Sequence, residues 1–190
     1  MFTSCVRALT FVLVVVPAAA AAQDSMPAVK TMTLSGAVVR GVQGIQNSLM
    51  EAAAKMPEEH YGFRPTPEIK PFGQLVAHVA LAQFRDCAFL KGEPNPKKDD
   101  KEETSRTKAD AVALLKASND YCAPLVSAIT TDAMMTEMTK IDEMQVAKGL
   151  IPMQIAVHGM EMYGTMGVYL RLKGLVPPMT EKEKQMKKSQ

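Results

Sequence analysis

The stretch LSGAVVRGVQGIQNSLMEAAAKM, residues 34–56, decides the fold class of this chain. Its apolar side chains recur at steps of three and four residues, which is the spacing of one face of an α-helix. They are Val38, Val42, Ile45, Leu49, Ala52 and Met56. We therefore predict a first helix with one buried face.

Three stretches further along the chain have the same period. A second helix is expected from Phe72 to about Lys91, a third from about Thr107, and a fourth from about Leu150 to Lys173. Gly174 should end the fourth helix. Residues 131–149 fit a short helix and a loop, and few segments alternate with period two. The sequence predicts an all-α bundle of four main helices.

Two connections differ in composition. Residues 57–71, PEEHYGFRPTPEIKP, contain four prolines, so we predict a long extended connection between the first two helices. Residues 92–104, GEPNPKKDDKEET, predict an exposed charged linker between the second and third helices.

The beginning of the chain has the pattern of a secretory signal peptide. Arg7 precedes the apolar run ALTFVLVVV, and Pro17 and five alanines follow it. A membrane anchor is the weaker alternative, because the run is shorter than the roughly 20 residues of a bilayer crossing. We expect cleavage near Ala22 and a periplasmic or extracellular protein. The predicted parts are a signal peptide (1–22), an arm (23–33), the bundle (34–178) and a frayed, solvated tail (179–190).

The net charge and the cysteines indicate which partners and which covalent links to expect. The formal net charge is +2, and cleavage would remove one basic residue, so nothing favours nucleic acid as a partner. The mature chain has no apolar run that could span a membrane. Cys5 should leave with the signal peptide. In an oxidising compartment Cys87 and Cys122 would form a disulfide worth about 3–4 kcal/mol, and the alternative is two separate buried thiols.

Two of the three histidines lie on apolar helix faces. His78 is in the second helix and His158 in the fourth, so both imidazoles could meet inside the bundle, where such proteins bind metals. Met162 follows His158 by one helical turn, on the same face. The alternative is that both histidines are core residues bonded to their neighbours.

Two blocks, YGFRPTPEIKPFGQLVAHVALAQ (61–83) and HGMEMYGTMGVYLRLKGLVPP (158–178), together resemble the DinB-like (YfiT-like, damage-inducible) superfamily of four-helix bundles. Exported relatives carry cysteines at similar places, which supports the disulfide. The resemblance implies a divalent metal held by three histidines, one in the second helix and an H-x-x-x-H pair in the last. These positions fall on His78, His158 and Met162, so one ligand is replaced.

The replacement predicts a degenerate metal site. A thioether is a soft ligand with little affinity for zinc, nickel or manganese. We therefore expect an exported bundle protein that is non-catalytic or binds an unknown small molecule or protein. The alternative is a metal-dependent hydrolase or thiol transferase of the DinB-like type, with His60, Glu161 or water as third ligand. Because members often pair through helix faces, a homodimer stays open.

Two further groups of residues could bind a ligand. His158, Met162 and Met166 form an i, i+4, i+8 ladder that could bind copper(I), although methionine is also a common core filler. Tyr61 and Arg64 could form the rim of a pocket that holds an anion. The alternative for Arg64 is a hydrogen bond that ties the connection to the bundle.

Overall fold

A computed structural model describes residues 31–189, apart from residues 105 and 142. The predicted signal peptide, its cleavage site and most of the arm lie outside the described residues. The α-helices are α1 Leu34–Lys55, α2 Phe72–Lys91, α3 Lys108–Ser127, α4 Asp132–Thr136, α5 Leu150–Leu172 and α6 Pro178–Lys188, with a 3₁₀ helix at Glu58–His60. Strands β1 Met138–Ile141 and β2 Met144–Ala147 form one antiparallel hairpin.

The four long helices form the predicted bundle. Helices α1 and α2 each pack against both α3 and α5. The main core lies between them and includes Leu49, Phe72, Leu115 and Leu170, all almost completely buried. Among the described residues, no helix has the length and apolar character that a membrane crossing needs.

The helix ends follow local signals. The Thr33 side chain accepts a hydrogen bond from the backbone N–H of Gly36, which caps the start of α1. Gly174 has φ 74° just after α5, and the N–H of Leu175 bonds back to the carbonyl of Leu170. Only glycine adopts this left-handed conformation without strain. The predicted end of the last long helix is confirmed.

A disulfide joins Cys87 of α2 to Cys122 of α3, with Cα atoms 5.5 Å apart. Both cysteines are fully buried in a second apolar cluster with Val42 and Val126. The structure thus has the predicted disulfide and not the alternative of two separate thiols.

The hairpin was not predicted. Its strands have four residues each and follow the short α4 directly. Thr139 and Ile141 are half-buried and alternate with exposed residues, but four positions are too few for a periodic signal. The β structure is therefore a small addition to a helical fold.

The predicted tail, residues 179–190, is not frayed at residues 179–188, which form α6 together with Pro178. Pro178 begins this helix, as is common at a first helical position. Salt bridges connect Lys55 to Glu181 (2.5 Å) and Glu51 to Lys182 (2.7 Å), so α6 is attached to α1 although most of it is exposed.

Candidate functional site

The structure brings His78 and His158 together. The Nε2 atoms of the two rings are 3.2 Å apart, although 80 residues separate them in the chain. Both rings are half-buried between α2 and α5. The contact is a hydrogen bond, so one nitrogen carries the proton and the other accepts it.

Sequence reasoning missed a third residue, Glu102. Its carboxylate lies 2.5 Å from Nδ1 of His78 and 2.7 Å from the Lys70 ammonium. Because a carboxylate only accepts, Nδ1 of His78 donates. Glu102 belongs to the predicted exposed linker, where every other position from 97 to 103 also holds an acidic or basic residue, six in all. No local pattern distinguishes it from them.

The pKa values of His158 and Glu102 are both lowered, but for different reasons. Burial lowers the pKa of His158, and the charge of His78 lowers it further, against the opposing effect of Asp86 and Glu161. The ring is therefore neutral at neutral pH. Burial raises the pKa of Glu102, but hydrogen bonds from Lys70 and His78 outweigh burial and hold that pKa below its usual range. Glu102 is therefore an ionised acceptor.

The Nε2 pair has the spacing of two metal ligands. Two nitrogens on one tetrahedral zinc ion lie about 3.3 Å apart for Zn–N bonds of about 2.0–2.1 Å. Metal-bound histidines also commonly donate their other nitrogen to a carboxylate, as His78 donates to Glu102. Both Nε2 atoms must, however, be unprotonated to bind a metal, so the hydrogen bond between them would have to break.

The third ligand position does not fit. Met162 is half-buried and packs against the main apolar core. Within residues 31–189, residues 105 and 142 excepted, no three His, Cys, Asp or Glu side chains are grouped as ligands of one metal ion. The donor set consists of two imidazole nitrogens, which is one short of the three firm protein ligands of a catalytic zinc site.

Neither proposed substitute ligand, His60 or Glu161, is bonded to the histidine pair. His60 ends the 3₁₀ helix, and no hydrogen bond among the described residues joins its ring to His78 or His158. Glu161 is exposed on α5 and acts on His158 through its charge alone. Met166 of the proposed copper ladder is fully buried in the main core. The structure thus assembles only His78 and His158 from the predicted ligands.

The predicted pocket rim has structural contacts of its own. The Tyr61 hydroxyl donates to the Ala53 carbonyl at 2.7 Å, and burial raises its pKa. Its ring contacts Phe72 edge to face and lines a cavity of about 280 Å³. Arg64 donates to the Pro67 carbonyl at 3.2 Å within its own connection. The Tyr61 bond ties the connection to α1, whereas the Arg64 bond stays within the connection and does not reach the bundle as the alternative expected.

A cavity of about 400 Å³ lies next to the histidine pair, and we call it the His78 cavity. Its wall consists of α2 and the linker, including His78, Arg85, Lys98, Lys101 and Glu102. The volume is in the range of small-molecule sites. The polar chain from Lys70 through Glu102 and His78 to His158 can orient a ligand or transfer a proton.

A model of the DinB superfamily matches residues 43–158, more than half of the chain. The fold is similar to that of a DinB-like protein from Bacillus cereus, with a TM-score of 0.64, 15% identity, and coverage of 78% of this chain and 98% of the other. It is also similar to that of a DinB-like protein from Bacillus subtilis, with a TM-score of 0.58 and 19% identity. This match covers 73% of this chain and 92% of the other. A search among curated proteins finds no match.

Proposed function

Because the chain belongs to the DinB superfamily, we propose that it is an exported bundle protein with a degenerate metal site. In this proposal, the protein binds a small molecule in the His78 cavity and does not catalyse a metal-dependent reaction. One observation carries it: the Nε2 atoms of His78 and His158 bond to each other, while Met162 packs into the core. Export rests on the pattern of residues 1–22.

The chemistry of the donor set supports this proposal. Two neutral imidazoles bind zinc weakly compared with three, and the thioether of Met162 adds little for a borderline metal. Glu102 cannot replace it from its present position, since it already bonds to the far nitrogen of His78. The remaining polar groups suit recognition of a ligand by hydrogen bonds.

The decisive change restores the missing ligand. Met162→His puts a third imidazole one turn after His158, and we expect it to bind close to one equivalent of zinc, nickel or manganese. At a free metal concentration 100 times the Kd, binding would raise the free energy of unfolding by about 2.7 kcal/mol. The measurements are elemental analysis and thermal unfolding with and without zinc.

The matched control is Met160→His, which adds a histidine to an exposed position of the same helix. It should bind no more metal than the unchanged protein. All three proteins are expressed with residues 1–22, exported in a bacterial host and purified without chelators, and a mass beginning at Gln23 would confirm cleavage. One equivalent of zinc, nickel or manganese in the unchanged protein would overturn the degenerate site.

That outcome would support the alternative, a divalent-metal-dependent hydrolase or thiol transferase. The alternative is favoured by the contact between His78 and Glu102, which resembles the carboxylate support of metal-bound histidines. It requires His78→Ala to abolish both metal retention and turnover. Copper alone in the unchanged protein would favour the copper(I) ladder, which would need Met166 to leave its buried position.

A further inference from the structure

A second cavity lies under the hairpin, apart from the histidine pair. It has a volume of about 440 Å³ and is enclosed by α2, α5 and the two strands. Six apolar residues and two polar ones line it: Phe89, Ile141, Met144, Val146, Leu150 and Ile151, with Asp86 and Gln154. We call it the hairpin cavity. We propose that it binds an apolar molecule whose head group donates a hydrogen bond to Asp86.

The strand register explains the apolar wall. Ile141 pairs with Met144, and Thr139 with Val146. Directly paired residues of an antiparallel ladder lie on the same face, and alternate residues share a face. Ile141, Met144 and Val146 therefore form one apolar face over α5, while Met138 lies on the other face.

Exposure at the cavity mouth fits a binding site. Met144 is 64% exposed and Leu150 is 54% exposed, although both line the cavity. Deeper inside, Ile151 is almost completely buried in the second apolar cluster. An apolar wall without partner atoms loses dispersion contacts, and a bound apolar molecule would restore them. The volume suits a small molecule with up to three rings or a short alkyl chain.

Asp86 gives the site a polar end. Its side chain is almost completely buried, and Nε and Nη2 of Arg85 both contact the same oxygen, Oδ1, at 2.9 and 2.7 Å. Among the described residues, the other oxygen, Oδ2, has no protein partner and keeps some access to solvent. A carboxylate accepts hydrogen bonds at both oxygens. A hydroxyl or amine of the ligand would fill this place, whereas a carboxylate would be repelled.

The site differs from the His78 cavity in its chemistry. Arg85 lines the His78 cavity and Asp86 the hairpin cavity, so this ion pair lies between the two. Basic and acidic side chains dominate one cavity and apolar side chains the other. The hairpin cavity thus has its own lining, although the charge of Asp86 also acts on His158.

The test uses N-phenyl-1-naphthylamine, an apolar dye with one N–H donor that fluoresces more strongly in apolar surroundings. We expect saturable binding of one dye per full-length chain. Val146→Trp, which fills the cavity, should weaken dye binding at least tenfold. Octylamine should displace the dye at a concentration at least tenfold lower than octanoate, because Asp86 accepts from the amine and repels the carboxylate.

Two exposed hairpin methionines give a matched pair of controls. Met144→Gln should weaken dye binding severalfold, whereas Met138→Gln, with a similar exposure of 57% but on the other face, should not. If circular dichroism shows that Val146→Trp does not fold, these two methionine variants still test the proposal. Absence of dye binding, equal effects of the two methionine variants, or preference for octanoate would each overturn the proposal.

Discussion

His158 faces His78 on one side and has the charges of Asp86 and Glu161 close enough to affect its titration. Burial nevertheless dominates and lowers the pKa of His158 below the ordinary value of 6.5. The side chain is thus held neutral, ready to share a proton with His78. A neutral ring is also the form in which histidine binds metals or accepts a hydrogen bond from a ligand.

This pKa predicts a loss of stability in mild acid. Below pH 6.5 the unfolded chain takes up a proton that the folded protein binds only at lower pH, so the free energy of unfolding falls as pH falls through this window. Glu102 adds its own loss only below pH 4.5, since its pKa is lowered. We expect His158→Gln to reduce the loss between pH 7.5 and 5.5, measured by urea unfolding.

The control for this experiment is His60→Gln, which changes a histidine of the 3₁₀ helix outside the site. It should lose as much stability as the unchanged protein over the same pH interval. If His158→Gln behaved like His60→Gln, burial of His158 would not be the cause.

At the scale of elements, α5 is positioned by a glycine next to the site. A Cβ at Gly159 would lie 3.0 and 3.1 Å from two side-chain carbons of Ile45 in α1. The missing side chain therefore allows α5 to approach α1 closely, one residue after His158. Gly164, on the same helix, has open space at the corresponding position.

These two glycines predict opposite effects of alanine. Gly159→Ala should destabilise the protein by about 1–3 kcal/mol, because the buried Ile45 must shift. Gly164→Ala should stabilise it by about 0.5–1 kcal/mol, since alanine favours a helix interior over glycine. Chemical denaturation of both variants measures the difference. Equal effects would show that the approach of α5 to α1 does not require Gly159.

The hydrophobic period of the sequence predicts the long helices but not the short strands. Helix α2 has the predicted bounds, Phe72 and Lys91, because a proline precedes it and Gly92 follows it with φ 75°. The hairpin could not be predicted because strands of four residues are too short for a periodic signal. Glu102 could not be predicted because its partner His78 is 24 residues away and because acidic and basic residues surround Glu102 in the linker.

Across the whole molecule, the disulfide connects two neighbouring helices of the bundle. Cys87 and Cys122 enclose the linker with Glu102, so the bond shortens the free loop of the unfolded chain. Replacing both by serine should lower the free energy of unfolding by about 3–4 kcal/mol in the chain-entropy model. Urea unfolding with and without a reductant measures this change.

A reductant should lower the free energy of unfolding of the unchanged protein but not that of the double serine variant. If both responded alike, the reductant would be acting elsewhere, and if neither serine change nor reductant mattered, the disulfide would not contribute to stability.

The sequence alone predicted the four long helices and, through Gly174, the end of the last one, because each of these features depends on residues within a few turns of one another. It also determined the family resemblance through two short blocks. The packing of the whole chain, in contrast, brings His78 to His158 and Glu102, attaches α6 to α1 and places the hairpin over a cavity. These contacts join residues 24 to more than 100 positions apart. Helical period predicts which face of a helix is buried, but the partner of that face depends on how the whole bundle packs.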